Sequence, residues 1–187
     1  RPVGNINGGP IFNPQYRTGD LVDVMDVIDL EAVKHVPYLG YQQENVLVKS
    51  SGWEMVGRYR FDQLHELVDT PAPLWIGAGE RSDRIGIDRV VELSSSLRLI
   101  KVTKLEISGL ARDGLIKLRA KFRYGRTEYD LSITDPEFEA KHQLSDTDNV
   151  IAPKAYLCVS IGEPYIVPAT GEKACFKLVA TVITPDM

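Results

Sequence analysis

The sequence predicts an all-β protein with short helices, built as two compact β-barrels. Short segments rich in Val, Ile, Leu and Tyr recur through the second half, punctuated by Gly109, Asp113-Gly114 and Gly125. One of them, residues 117–124, alternates strictly between charged and apolar side chains, the period of a strand with one buried face. The long helical segments of a doubly wound sheet are missing, and no repeat of fixed period or low-complexity block replaces them.

Taken in order, residues 1–19 contain Pro2, Gly4, Gly8, Gly9, Pro10 and Pro14 and show neither regular period, so they read as a turn-rich opening segment. Residues 21–30 are apolar but punctuated by Asp20, Asp23, Asp26 and Asp29. Their Val and Ile content favours a strand, and the spacing of three bends or bulges it. Residues 41–49, with Val46 and Val48, form a further strand closed by a turn at 50–52.

At residues 60–69 the period changes: Phe61, Leu64, Leu67 and Val68 share one helical face, and Thr70-Pro71-Ala72-Pro73 ends the helix. Residues 74–86, with Gly77, Gly79 and Gly86, read as an exposed loop. Strands are expected at 91–93, 97–107, 115–124, 128–134, 156–161 and 175–184. Asp135 and Pro136 open a brief helix, and residues 143–153 are a polar loop. A boundary near residues 86–95 gives a first barrel over 1–90 and a second over 91–187. Because the sequence begins at Arg1 without an initiator Met, the first barrel is expected to lack its N-terminal strand.

A chain of 187 residues that is 43% apolar buries a substantial core, which excludes disorder on a large scale. The formal charge of −4 hides an asymmetry: residues 98–126 hold nine Lys/Arg and two Asp/Glu, against 13 and 24 in the remainder. The summed field opposes a polyanion everywhere except at this local patch. No apolar run approaches the roughly 20 residues of a membrane helix, and no secretory leader opens the chain. The expectation is a soluble cytoplasmic protein with no membrane partner.

The patch centres on a β-hairpin. Lys117, Arg119, Lys121 and Arg123 point to one side, and Leu118, Ala120, Phe122 and Tyr124 to the other. After Gly125 the return strand places Glu128, Asp130, Ser132 and Thr134 on one face. Cross-strand pairing then makes either a self-neutralised solvated sheet or a ligand surface.

Motif tests for chemistry exclude the common catalytic frames. There is no Gly-x-x-x-x-Gly-Lys phosphate loop, Gly77-Ala78-Gly79 has Ser82 where a dinucleotide fingerprint needs its third glycine, and no Gly-x-Ser-x-Gly elbow occurs. His35, His65 and His142 are scattered surface residues, and Cys158 and Cys175 read as buried thiols. The Asp20, Asp23, Asp26, Asp29 series lacks the alternation and Gly of a calcium loop. It reads instead as solvated strand edge. Gln42, Gln43, Glu44 and Asn45 either touch a ligand or stitch a loop to the barrel, and Trp53 and Trp75 are either core pieces or stacking platforms. No catalytic residue, cofactor or metal is expected.

A set of local phrases in order along the chain resembles the dual OB-fold domain family of prokaryotic proteins. They are Arg1-Pro2-Val3, Gln43-Glu44-Asn45, Leu74-Trp75, Ser95-Ser96-Leu97, Phe122-Arg123-Tyr124-Gly125, Tyr129-Asp130-Leu131, Thr134-Asp135-Pro136, Leu157 through Pro164, and Lys177-Leu178-Val179-Ala180. The resemblance implies two OB-like barrels and, through the fold, binding of an oligonucleotide or another ligand. It brings no catalytic residue.

The functional expectation is a non-enzymatic module that binds single-stranded DNA or RNA, with Lys117, Arg119, Lys121, Arg123 and Arg126 attracting phosphates. Tyr124 is the candidate aromatic, provided that a bulge near Gly125 turns it toward the cations. The alternative is a protein-interaction or regulatory subunit that takes an acidic protein partner on the hairpin or a small ligand in a barrel mouth.

Overall fold

The computed structural model describes the chain except for Asn13, Ser51, residues 71–72 and 76–81, Asp113 and residues 186–187. The expected turn at 50–52, the helix end at 70–73, the Gly77–Gly79 pair and the Asp113-Gly114 turn therefore lie wholly or partly outside the described residues. Two compact units emerge: residues 1–64 with 91–96, and residues 65–90 with 97–187.

The first unit carries β1 (Pro2–Val3), β2 (Asp26–Asp29), β3 (Ala32–His35), β4 (Val46–Val48) and β5 (Glu54–Arg58). These make two small sheets, β1-β4-β3 and β2-β5. The strand at 21–30 is confined to Asp26–Asp29 and is bulged between Val27 and Ile28, as the aspartate spacing suggested. The helix foreseen at 60–69 is only a 3₁₀ turn, Leu64–Leu67. Leu64 is buried while Leu67 is 47% exposed, so no continuous helical face is covered.

The second unit contains β6 (Arg84–Gly86), α1 (Ile87–Val90), β7 (Leu97–Val102), β8 (Leu105–Arg112), β9 (Leu115–Tyr124), β10 (Thr127–Ile133), α2 (Pro136–Lys141), β11 (Asn149–Ala152), β12 (Ala155–Ile166) and β13 (Lys173–Ile183). Three expectations are corrected here. Residues 91–93 form a turn after α1 rather than a strand, because Val90 is the side chain that turns inward. Residues 84–86 are a strand on β13 and Leu74 is buried, so 74–86 is not simply an exposed loop. The polar loop at 143–153 ends in β11, an edge strand on β8.

Sheet order is β11-β8-β9-β10-β13-β12-β7, with β6 also on β13. All neighbours are antiparallel except β10 and β13. The run β8-β9-β10-β13-β12-β7 ends in two strands that are consecutive in the chain, joined through Thr103-Lys104. The ladder is thus open in hydrogen bonds and continuous in covalent chain. One side of it holds an apolar cluster, including Ile100, Leu105, Ile107, Leu118, Phe122, Tyr129, Leu131, Ile133, Leu157, Val159, Val179 and Val182. Phe122 and Tyr129 stack there with ring centroids 5.4 Å apart.

The connection between β10 and β12 begins at Asp135, the predicted N-cap of α2. Its Oδ1 accepts from Phe138 N at 3.0 Å and its Oδ2 from Val182 N on β13 at 3.2 Å. One buried carboxylate thereby caps a helix and ties it to the central strand. Asp135→Ala leaves both amides without these acceptors and is expected to lower unfolding stability by about 2 kcal/mol. Urea denaturation of the full chain checks this through the midpoint, with the slope of the transition unchanged.

Candidate nucleic-acid interface

Strand β9 alternates as the sequence requires: Leu118, Ala120 and Phe122 are buried, Arg119 is partly covered, and Lys117, Lys121 and Arg123 are exposed. Register places Ser108, Glu106 and Leu110 of β8 opposite Arg119, Lys121 and Lys117, and Ser132, Asp130 and Glu128 of β10 opposite Arg119, Lys121 and Arg123. Side chains opposite one another in a sheet share a face. The cation row is therefore flanked by acids on both sides.

Pairing is strongest at Arg119. Its Nε donates to Asp130 Oδ1 at 2.8 Å, one terminal nitrogen donates to Ser132 Oγ at 2.6 Å, and the other to the Asp130 carbonyl at 2.5 Å. Lys121 Nζ lies 4.0 Å from Asp130 Oδ2, and Arg123 Nε lies 3.7 Å from Glu128 Oε1. Lys104 pairs with Glu106 at 2.7 Å. Lys117 has no side-chain partner among the described residues, and Arg126 sits exposed at the hairpin turn. Exposed pairs of this kind are weak, so they screen the cations without locking them.

Tyr124 does not join this face. The β9–β10 ladder runs without a bulge from Ser132↔Arg119 to Thr127↔Tyr124, so alternation continues to the turn. The Tyr124 hydroxyl donates to the Asp69 carbonyl at 3.1 Å, and the ring packs against the core cluster. Burial pushes its phenol above the ordinary value. The bulge that would turn Tyr124 toward the cations does not occur, and strict alternation keeps its ring on the other face.

The accessible aromatics come from other strands. β10 and β13 pair only at Ser132↔Leu178 and Ile133↔Val179; toward the other end they part, and β6 takes the edge of β13. A cleft of about 320 Å³ opens there, lined on one side by Arg119, Asp130 and Ser132 and on the other by Gly162, Tyr165, Phe176 and Leu178. Register links the two walls: Arg119 shares a face with Ser132, Ser132 with Leu178, Leu178 with Phe176 two residues away, and Tyr165 with Ala174.

Tyr165 is 51% exposed and meets Phe176 edge to face at 6.0 Å. The Arg84 guanidinium lies 4.6 Å from the Phe176 centroid and is held by Asp83 at 2.7 Å. β12 shifts register between Ile161 and Pro164, and Gly162 sits in that bulge with Leu178 Cδ1 only 3.2 Å from where a Cβ would stand. Sequence reading did not single out Tyr165, Phe176 or Arg84 for the site. The alternation of Phe176 and Leu178 within 175–184 was the available signal, but its sense depends on strand pairing.

The other candidates resolve as structural. Asp26 Oδ2 accepts from the Tyr16 hydroxyl at 2.7 Å and from Asp23 N at 2.9 Å, while Arg58 donates to Asp26 Oδ1 at 2.5 Å and to Asp23 Oδ2 at 2.8 Å. Burial and the Asp26 carboxylate push the Tyr16 phenol up to about 12, which keeps it a neutral donor. Glu44 accepts hydrogen bonds from Ser96 N and Oγ, Gln43 donates to the Gly40 carbonyl, and Asn45 donates to Gln42 Oε1. This is loop stitching. Trp53 is buried and its Nε1 donates to the Lys49 carbonyl; Trp75 packs on the core cluster.

His35 and His65 are exposed, whereas His142 is partly covered by stacking on Phe138 at 4.1 Å. Cys158 lies opposite Thr181 and Cys175 opposite Pro164, so the thiols do not face each other and no disulfide joins them. Burial, with Asp69 adding to it, pushes the Cys158 thiol up to about 11.

Three antiparallel strands, a helix and a hairpin whose last strand returns parallel to the third define an all-β protein of the OB class. The model of the Dual OB-containing domain family matches residues 1–182, and the chain belongs to that family. No curated protein and no solved structure matches it.

The Asp26 network carries a pH signature. Burial raises its carboxyl, but the donors Tyr16, Asp23 N and Arg58 outweigh this and hold it below the ordinary 3.8. A depressed folded value contributes stability above the unfolded value and loses it as pH falls through the folded one. Asp26→Asn is expected to be less stable than the parent near neutrality, with the gap shrinking as the pH falls below about 4. Paired urea titrations from neutral to acid pH measure it.

Proposed function

We propose that this protein is a non-enzymatic binding module whose ligand is single-stranded nucleic acid, held on the outer face of the second unit. The observation that carries the reading is that one face joins the cation row to an accessible aromatic. Tyr165 stands across the cleft from Arg119, on the side to which Lys121 and Arg123 also point. A backbone running along β9 exchanges its counterions for Lys117, Lys121, Arg123 and Arg126. A base entering the cleft stacks on Tyr165, whose ring is braced by Phe176, while Arg119, Asp130 and Ser132 offer polar atoms to its edge.

Weak, salt-sensitive and sequence-tolerant binding follows from this chemistry. The acids Glu106, Glu128 and Asp130 oppose an anion, so the local field is positive but partly screened. An acidic protein surface is the second reading, favoured by Leu110 and Leu115, which stand exposed on the same face as Lys117 at the β8–β9 end of β9. Among the described residues no helix is long and apolar enough to cross a membrane.

Fluorescence anisotropy with labelled oligo(dT) and oligo(U) tests the proposal. Affinity is expected to fall with salt, with a logarithmic slope of about −0.7 for each phosphate engaged. Lys121→Glu combined with Arg123→Glu is expected to weaken binding at least about tenfold, and Tyr165→Ala to remove about 1–3 kcal/mol with little change in slope. No binding at low salt would overturn the proposal, and loss of the slope with retained affinity would contradict the electrostatic part.

A further inference from the structure

We infer that the first unit carries a separate binding site, a pocket beside β5 that takes a small organic cation with an apolar, planar body. The pocket encloses about 620 Å³ and lies wholly among residues of the first unit, between the turn at residues 16–21 and β5. Small-molecule sites occupy roughly 300–1,000 Å³. No residue of this pocket belongs to the cleft proposed for nucleic acid.

Backbone bridges assemble its walls. Tyr16 pairs in parallel with Trp53, and Gln15 antiparallel with Leu21, which brings the two rings and the Leu21 side chain to one place. Hydrogen bonds hold both rings: the Tyr16 hydroxyl donates to Asp26 and the Trp53 indole to the Lys49 carbonyl. Leu21 and Met55 line the same pocket and stand 65% and 50% exposed, apolar surface that folding leaves uncovered. Met55 adds a side chain that adapts to the shape it meets.

The polar groups select the sign of the ligand. Two guanidinium groups, Arg17 and Arg58, and three carboxylates, Asp20, Asp26 and Glu54, line the pocket. Both cations are engaged, Arg17 by Glu54 at 2.5 Å and Arg58 by Asp26 at 2.5 Å and Asp23 at 2.8 Å. Among the described residues the Asp20 carboxylate meets no cation, and the Thr18 hydroxyl donates to it at 2.8 Å. Tyr16 stays a neutral phenol and adds no charge. The lining therefore keeps one uncompensated negative charge, at Asp20, beside aromatic rings whose quadrupoles also favour a cation. Among the described residues no three His, Cys, Asp or Glu side chains gather to hold a metal ion, which favours an organic cation over a metal.

Heteronuclear NMR titration of the full chain near neutral pH tests the inference, with phenethylamine, the neutral phenethyl alcohol and the anionic phenylacetate as probes. The amine is expected to move the Tyr16, Thr18 and Leu21 amides and the Trp53 indole N–H saturably, with a dissociation constant on the order of millimolar. It is expected to bind about fivefold tighter than the alcohol and at least about tenfold tighter than the carboxylate. Asp20→Asn, at an exposed turn position, is expected to reduce the amine to the affinity of the alcohol and to leave the alcohol unchanged. Leu21→Ala, also exposed, is expected to weaken the amine and the alcohol alike, by about threefold. The dispersion of the amide spectrum confirms that each variant is folded. No saturable shift, shifts confined to the second unit, phenylacetate bound as tightly as the amine, or an amine affinity indifferent to Asp20→Asn overturns it.

Discussion

The two-residue parallel ladder between β10 and β13 governs the second unit. It decides which side of β12 and β13 continues the side that carries the cations of β9, because β9 and β13 never touch directly in the sheet order. A slip of one residue would turn Phe176 and Leu178 inward and Lys177 and Val179 outward, inverting every side chain beyond it. Bonds outside the ladder hold the register: Thr134 N donates to the Val179 carbonyl at 2.8 Å, and Asp135 takes Val182 N. Beneath it, Ile133, Val179 and Val182 belong to the same buried cluster, so a slip would also expose the core.

Where the ladder stops, the cleft begins. Strands that paired over their whole length would leave a flat face, with Arg119 and Phe176 merely neighbours on a sheet. Because β6 occupies the edge of β13 beside Phe176, β10 does not pair there and the cleft of about 320 Å³ lies between the two walls. Arg119 is fixed in the wall by three hydrogen bonds. Lys117 and Arg126 lie exposed near the two ends of β9. The face thus combines a hydrogen-bonded polar wall with exposed charge around it.

Legibility in the sequence followed burial contrast. β9 was readable to the residue because each charged side chain alternates with a buried one, and Asp135-Pro136 announced α2 by its capping chemistry. β3 and β5 were unreadable: the side chains of Ala32–His35 are exposed throughout, and those of Glu54–Arg58 nearly so, so no two-residue contrast exists. β11 hid behind its polar approach, 143–148. At the site, the cations were visible as a local pattern, whereas Tyr165, Phe176 and Arg84 become partners of that pattern only through a non-local parallel pairing and a bulge at Gly162. Phe122 and Tyr124, the aromatics next to the cations in sequence, lie on the other face for the same reason that the cations align.

The central claim is that one face of the second unit unites β9 with Tyr165 and Phe176 as a binding surface. The most direct measurement is a heteronuclear NMR titration of the full chain with a short oligo(dT), following both backbone amides and the Tyr165 ring. The account predicts shifts at Arg119, Lys121, Ser132 and Phe176, together with an upfield ring-current shift of the Tyr165 protons as a base stacks on them. Shifts confined to the first unit, or to the hairpin cations with Tyr165 unmoved, would contradict it.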